Sequence, residues 1–247
     1  MNGVTFEDWK FLESWHSFRD WGLILKSRPV ISSPDPKYVF VDIPASDSRI
    51  DLTESLTGDV HYYNRKITFE FNVLDARNRW TTVYSTIMNA LHGKQIRILL
   101  DEDPAYYYEG RVNINEWKSD KKTSILTIEA DVDPYKYRIQ KTGSPWLWDP
   151  FNFETDTVTD IYQDIAVDGT YRMTIVGERK TVVPSFIVTS TDNEGLEVTM
   201  SHGTITQTAT FADGEHRNPL ICIRDGYNQM TVTGHGTFTI DFRGASL

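Results

Sequence analysis

The acidic triplet Asp101-Glu102-Asp103, set directly before Pro104 and the run Tyr106 to Tyr108, is the grouping in this sequence that most resembles catalytic equipment. Paired carboxylates are what glycoside hydrolysis requires. Three adjacent acids between the apolar runs QIRILL and YYYEGRV read more simply as a hairpin turn, exposed and solvated. Such a turn has no means of separating their pKa values, and acid–base work needs that separation. The six histidines, at 16, 61, 92, 202, 216 and 235, include no HxxxH or HxH pair. The single cysteine, Cys222, can form neither an intrachain disulfide nor a thiolate cluster. Its setting, LICIR, predicts a strand facing a core and a buried, inert thiol. DGEH (Asp213 to His216) reads as a loop between strands. No GxSxG, GxxxxGK[ST] or GxGxxG is present. The expectation is a protein with no catalytic residues, no metal and no cofactor.

Aromatic residues are the other source of binding chemistry. Trp146 and Trp148, with Phe151 and Phe153, suit stacking on sugar rings, and equally suit packing two domains together. Packing is the simpler reading because they lie in RIQKTGSPWLWDPFNF, a connector with Gly, Ser and Pro among bulky rings. In a strand, Tyr106 and Tyr108 would share one face and Tyr107 would take the other.

At 247 residues, one large β domain or two smaller ones both fit. No apolar run approaches the ~20 residues of a membrane span, and MNGVTFEDWKF lacks the basic start and apolar stretch of a secretory signal. Synthesis in a cytoplasm is expected. The net charge of -10 argues against gripping nucleic acid by phosphate neutralisation. Residues 1–140 hold 18 Lys+Arg against 21 Asp+Glu, whereas residues 141–247 hold 7 against 14. Threonine rises from 9 in the first stretch to 18 in the second. Because Thr favours solvated strands, the second half reads as nearly pure β.

The elements follow from periodicity. In RWTTVYSTIMNALHG, residues Trp80, Val83, Tyr84, Ile87, Met88 and Leu91 make one buried helical face, predicting a helix over about 79–92. Asn78 or Asp75 would cap its start, and Gly93 would provide a left-handed end. Around it GLILK, YVFVDI, YNRKITFEFNV, QIRILL, YYYEGRVNINEW and TSILTIEADV read as strands, with SDKK a hairpin turn between the last two. The second half offers YRMTIVG, TVVPSFIVTST, LEVTMS, GTITQTATF, PLICIR and NQMTVTGHGTFTIDFR. In the last of these, residues from Met230 to Phe242 alternate between a face of Met230, Val232, Phe238 and Ile240 and a face of threonines. Its GHG fits either a bulge or a hairpin turn. The predicted fold is mainly β: an N-terminal β-sandwich or barrel-like domain with one α-helix (1–140), then a C-terminal antiparallel β-sandwich (141–247) opening with the aromatic connector at about 141–153.

The ordered phrases DWGLIL, VDIPASDSRIDLTE, YYNRKITFEF, the helix closing on LHG, YYYEGRV and DPYKY resemble the distal tail protein family of long-tailed bacteriophages. The likeness covers about the first 140 residues. Where the family has glycines in its proline-rich turn, this chain has Ala45 and Ser48. The second half looks like the galectin-like or carbohydrate-module-like sandwich that follows the ring domain in that family. The resemblance singles out Trp21, Gly22, Arg65, Gly110, Asp133, Pro134, Tyr135 and Tyr137 as signature or domain-junction residues, with Pro134 stopping a strand.

It implies a structural virion protein at the phage tail tip, a homo-hexamer ringed below the tail tube protein. It would join the tube to a tail-tip hub protein and a receptor-binding protein, while DNA passes its channel unbound. No membrane is involved. The alternative is a carbohydrate-binding or glycan-acting protein using the C-terminal sandwich and Trp146 and Trp148.

Overall fold

The computed structural model describes residues 3–73, 76–119, 124–144, 161–191 and 194–247. These form two compact units, Met1–Lys136 with Leu247, and Tyr137–Ser246.

The first unit contains β1 (Val4–Asp8), β2 (Glu13–His16), α1 (Ser17–Trp21), β3 (Leu23–Leu25), β4 (Val30–Ile31), β5 (Phe40–Asp42), β6 (Arg49–Asp51), β7 (Arg65–Val73), α2 (Ala76–Leu91), β8 (Gln95–Leu100), β9 (Tyr106–Ser119) and β10 (Ser124–Val132). Its main sheet runs β2-β1-β8-β9-β10-β7-β3, antiparallel at every step, with β4 also paired to β7. Strands β7, β8 and β10 alternate buried and more exposed residues, as their period-2 patterns require. Their inward residues join Phe6, Trp21 and the underside of α2 in one core. There Phe6 meets Phe69 edge-on at 5.9 Å and Trp21 at 6.1 Å.

Helix α2 keeps the predicted face except at its first member, Trp80, which is exposed and stacks on Trp117 at 6.1 Å near the start of the helix. Ile87 and Leu91 are fully buried, and Val83, Tyr84 and Met88 pack around them. Truncating either fully buried side chain to Ala would cost about 2–5 kcal/mol. The helix starts at Ala76, so Asn78 lies inside its first turn rather than capping it; Asp75 is outside the described residues. Gly93 ends it at φ 75, the left-handed backbone expected there.

A second, five-residue helix, α1, escaped the pattern because its N-cap is His16, whose Nδ1 accepts the N–H groups of Phe18 and Arg19. The SDKK connection falls largely outside the described residues, although β9 and β10 pair on either side of it.

Strand β11 (Lys136–Arg138) leads into the second unit. That unit holds β12 (Ile165–Gly177), β13 (Ser185–Ser190), β14 (Leu196–His202), β15 (Ile205–Phe211), β16 (Gly214–Arg217), β17 (Gly226–Asp241) and β18 (Ala245–Ser246). Its sheet forks. On one edge β17 pairs with β12 along thirteen residue pairs without a break. On the other, residues 229–233 pair with β14 and residues 236–241 with β13. Strands β15 and β16 extend the two limbs. The limbs close over a core in which Phe186 of β13 and Phe211 of β15 lie 4.5 Å apart. The sheet is curled, a half-barrel built from one forked β-layer.

GHG is therefore neither hairpin turn nor bulge. Strand β17 runs straight through it, in continuous register with β12. It is the point where β17 changes neighbours on its other edge. Gly236 has φ 155, and a Cβ there would stand 2.3 Å from the carbonyl oxygen of Thr189. Glycine is what lets β13 approach.

PLICIR is not a strand either. Ile221 and Ile223 are buried and Val182 bridges Ile223, but Cys222 between them points outward and is only half-buried. The alternation that suggested a core thiol has the opposite phase: the isoleucines take the core and the cysteine is left out.

Candidate functional site

The corner where β8 turns into β9 gathers three ion pairs of the first unit. Residues 101–105 form the predicted turn, but its acids are not simply solvated. Asp101 accepts the N–H of Gly3 at 2.7 Å and faces His16 Nε2 at 3.2 Å. Glu102 pairs with Arg28 at 3.4 Å. Asp103 accepts from Lys136 Nζ at 2.7 Å. Adjacent side chains on a tight turn diverge, so the three carboxylates reach three different partners, an imidazole, a guanidinium and an ammonium. No two are left facing each other as an acid and a base.

The three tyrosines that follow each carry a cation. Lys136 lies 4.4 Å from the Tyr106 ring, Arg97 4.7 Å from Tyr107, and Arg65 4.9 Å from Tyr108. Tyr107 and Tyr108 are both buried, so both faces of β9 are covered here. Lys136 joins the two triplets, bonding Asp103 while covering Tyr106. Arg65 is nine-tenths buried, and its Nε and Nη2 have no hydrogen-bond partner. Burial holds its pKa below the ordinary guanidinium value, against the pull of Tyr108. Burial likewise pushes the Tyr108 phenol up, partly offset by Arg65 and Lys136, while Asp103 and Glu102 add to the rise.

The other singled-out residues have local work. Trp21 is the buried last residue of α1, stacked on Trp15 at 6.0 Å. Gly22 ends that helix at φ 64, its N–H donating to the Phe18 carbonyl. A Cβ on Gly110 would meet the Asp131 carbonyl oxygen at 2.1 Å, so this β9–β10 crossing admits only glycine. β10 stops at Val132, directly before Asp133 and Pro134. Asp133 donates its N–H to the Glu109 carbonyl, and Tyr135 packs edge-on against Tyr62 at 6.0 Å. In the second unit, the Tyr137 hydroxyl accepts from Lys180 Nζ at 3.0 Å. Trp146 and Trp148 lie outside the described residues, as does most of the connector. Among the described residues, no group of three or more His, Cys, Asp or Glu is placed to hold a metal ion. No helix there is long and apolar enough to cross a membrane.

What sequence reasoning missed is the character of the stretch between Lys26 and Asn64. None of these residues is buried. Strands β5 and β6 form a separate two-stranded hairpin that leaves the main sheet, and every residue in both is exposed. Yet Val39, Phe40, Val41, Ile43, Ile50 and Leu52 are each between 38% and 51% exposed, and Leu56 is 96% exposed. The hairpin is held by backbone ladders and by Arg49 lying 4.0 Å over the Phe40 ring, not by a core. Within its loop, Ala45 takes a left-handed φ of 63, the conformation a glycine would adopt freely. The signal was available: apolar runs such as YVFVDI without a partner run for the opposite face.

These features define a class: a mainly β chain of two units, with an apolar arm in the first and, among the described residues, no cluster placed to hold a metal ion. In sequence, no protein family and no curated protein matches the chain. In structure it is similar to the Dit protein (gp 19.1) of SPP1, whose crystal structure is described as a paradigm of hub adsorption apparatus in Gram-positive infecting phages. The two agree with a TM-score of 0.61 over 100% of both chains at 12% identity, so the likeness is one of fold.

Proposed function

We propose that this chain is a non-catalytic structural protein of a phage tail, a distal hub subunit at the tail tip. Six copies close into a ring below the tail tube, join it to the tail-tip machinery and carry host-adhesion proteins, while DNA passes through the ring unbound. The full-length likeness to the SPP1 hub protein supports this reading. The observation that carries it is the arm around β5 and β6. An exposed apolar patch of this extent on a single chain marks an interaction surface, and a ring subunit needs head-to-tail contacts that close on themselves. The acidic balance of the chain suits a channel that repels phosphate. The first unit is read as the ring former and the second as the peripheral domain.

The test is cryo-microscopy of assembled tails. Six copies around the axis at the distal end of the tube are expected. Finding the protein at the capsid, as a two-fold dimer, or absent from particles overturns the reading.

A further inference from the structure

We propose that the outer edge of β15 is a docking site for an extended segment of another protein, which adds to the second unit's sheet as one more antiparallel strand. β15 ends one limb of the forked sheet and, among the described residues, pairs only with β14, in seven consecutive residue pairs without a bulge. Its residues, Ile205 to Phe211, include no charge, no proline and no glycine, and all but Gln207, Ala209 and Phe211 are exposed. No hydrogen bond from its backbone reaches beyond β14 among the described residues.

Natural sheets blunt such edges with charge, glycine kinks or shortness, and the other edges of this unit obey that rule. β16 is four residues long, carries Glu215 and Arg217, and starts on Gly214 at φ 107. β12 carries exposed Asp168 and Arg172 and has a left-handed residue, Gly169 at φ 85, between them. Seven regular, unprotected residues are the exception, and an open ladder of donors and acceptors is what strand addition uses.

The charge around the edge gives the added strand a polarity. The Phe211 end is acidic, with exposed Glu197 opposite Thr210 on β14 and exposed Asp213 two residues beyond the strand. At the other end, His202, Gly203 and Thr204 carry no acid. A strand antiparallel to β15 begins beside Phe211, and Glu197 stands about 10 Å from its backbone, two strand spacings away and within reach of a lysine. The segment that fits therefore has basic residues at its N-terminal end, followed by an uncharged β-forming run. A second copy of this chain offers no such segment in β15 itself. The identity of the segment's owner, a neighbouring tail protein, rests on the hub reading; the edge and its polarity do not.

The test uses the full-length protein and a synthetic peptide, Lys-Lys-Thr-Val-Thr-Val-Thr, followed by fluorescence anisotropy and by amide hydrogen exchange at residues 205–211. The peptide should bind and slow exchange along β15. Moving the lysines to its C-terminus, or the substitution Thr210→Lys, should each weaken binding about tenfold, because each opposes or removes the charge match. A fully backbone N-methylated peptide should not bind. The proposal is overturned if the peptide does not bind, if it binds without protecting residues 205–211, or if charge order has no effect. It is overturned too if sedimentation shows the protein self-associating through this strand and Thr210→Lys abolishes it. None of these readouts depends on where the protein sits in a virion.

Discussion

His16 and Asp101 hold each other in place across the first unit, with His16 Nε2 lying 3.2 Å from Asp101 Oδ2. Because His16 Nδ1 accepts two backbone N–H groups of α1, the ring proton must sit on Nε2, which donates to the carboxylate. Gly3 closes the triangle: a Cβ there would fall 2.5 Å from the imidazole. One acid of the apparent catalytic triplet thus fastens the start of β1 to the cap of a helix. Asp101→Ala should lower stability by about 1–3 kcal/mol, since a part-buried N–H and an imidazole lose their acceptor. Denaturant melts would measure this, and the wild-type protein should hydrolyse no cell-wall glycan; glycan cleavage lost in Asp101→Asn would contradict the structural role.

Tyr108 makes the protein sensitive to alkali. Burial raises its phenol above the ordinary value, so the folded state favours the protonated ring. For a raised group, the stabilisation is complete below the unfolded pKa of about 10 and is lost as pH rises through the folded value. Melting temperature should therefore fall more steeply above pH ~10 in the wild type than in Tyr108→Phe. Parallel curves for the two proteins would show that Tyr108 ionises freely.

Cys222 should react with a thiol reagent in native buffer. It lies half-buried between two core isoleucines, and its thiol donates to the Pro219 carbonyl at 2.9 Å. A serine can make the same bond, so Cys222→Ser should cost less than about 1 kcal/mol. Labelling seen only after denaturation would restore the buried reading.

The fork in the second unit depends on Gly236. With φ 155 and a carbonyl 2.3 Å from where a Cβ would stand, Gly236→Ala should lose about 1–3 kcal/mol from backbone strain alone, and more from parting β13 and β17. Gly203, at φ 57 with nothing within 4 Å of its Cβ position, is the control. Gly203→Asn should be nearly neutral, and equal losses at both sites would mean that the close approach of β13 is not the cause.

How far the sequence was legible depends on where each side chain finds its partner. Helix α2 could be read because Ile87, Leu91 and their neighbours repeat every three or four residues. QIRILL matched β8 residue for residue because alternate side chains see core and solvent. The turn at 101–103 and the exposure of Asp101 and Glu102 could be read, but the partners of the three acids could not, because they are distant in sequence; Gly3 is 98 residues from Asp101. GHG was undecidable because a handover from β14 to β13 is a tertiary event. The arm looked like ordinary strands because alternation in sequence does not tell a strand over a core from one whose apolar residues, among the described residues, join no core.

That arm supplies the last prediction. If Val39, Val41 and Ile50 form a contact surface between copies, replacing them with Lys, Lys and Glu should leave the fold intact, because none contributes to the core. Circular dichroism and melting temperature should match the wild type within the roughly ±0.5 kcal/mol typical of surface changes. Assembly should fail, because burying an unpaired charge in an apolar contact costs several kcal/mol per group. The readout is incorporation into tails by mass spectrometry of purified particles, with the wild-type gene supplied in trans as the positive control. A triple variant that is folded and still incorporated at the wild-type level would remove the arm from the ring and leave the main sheet as the source of its contacts.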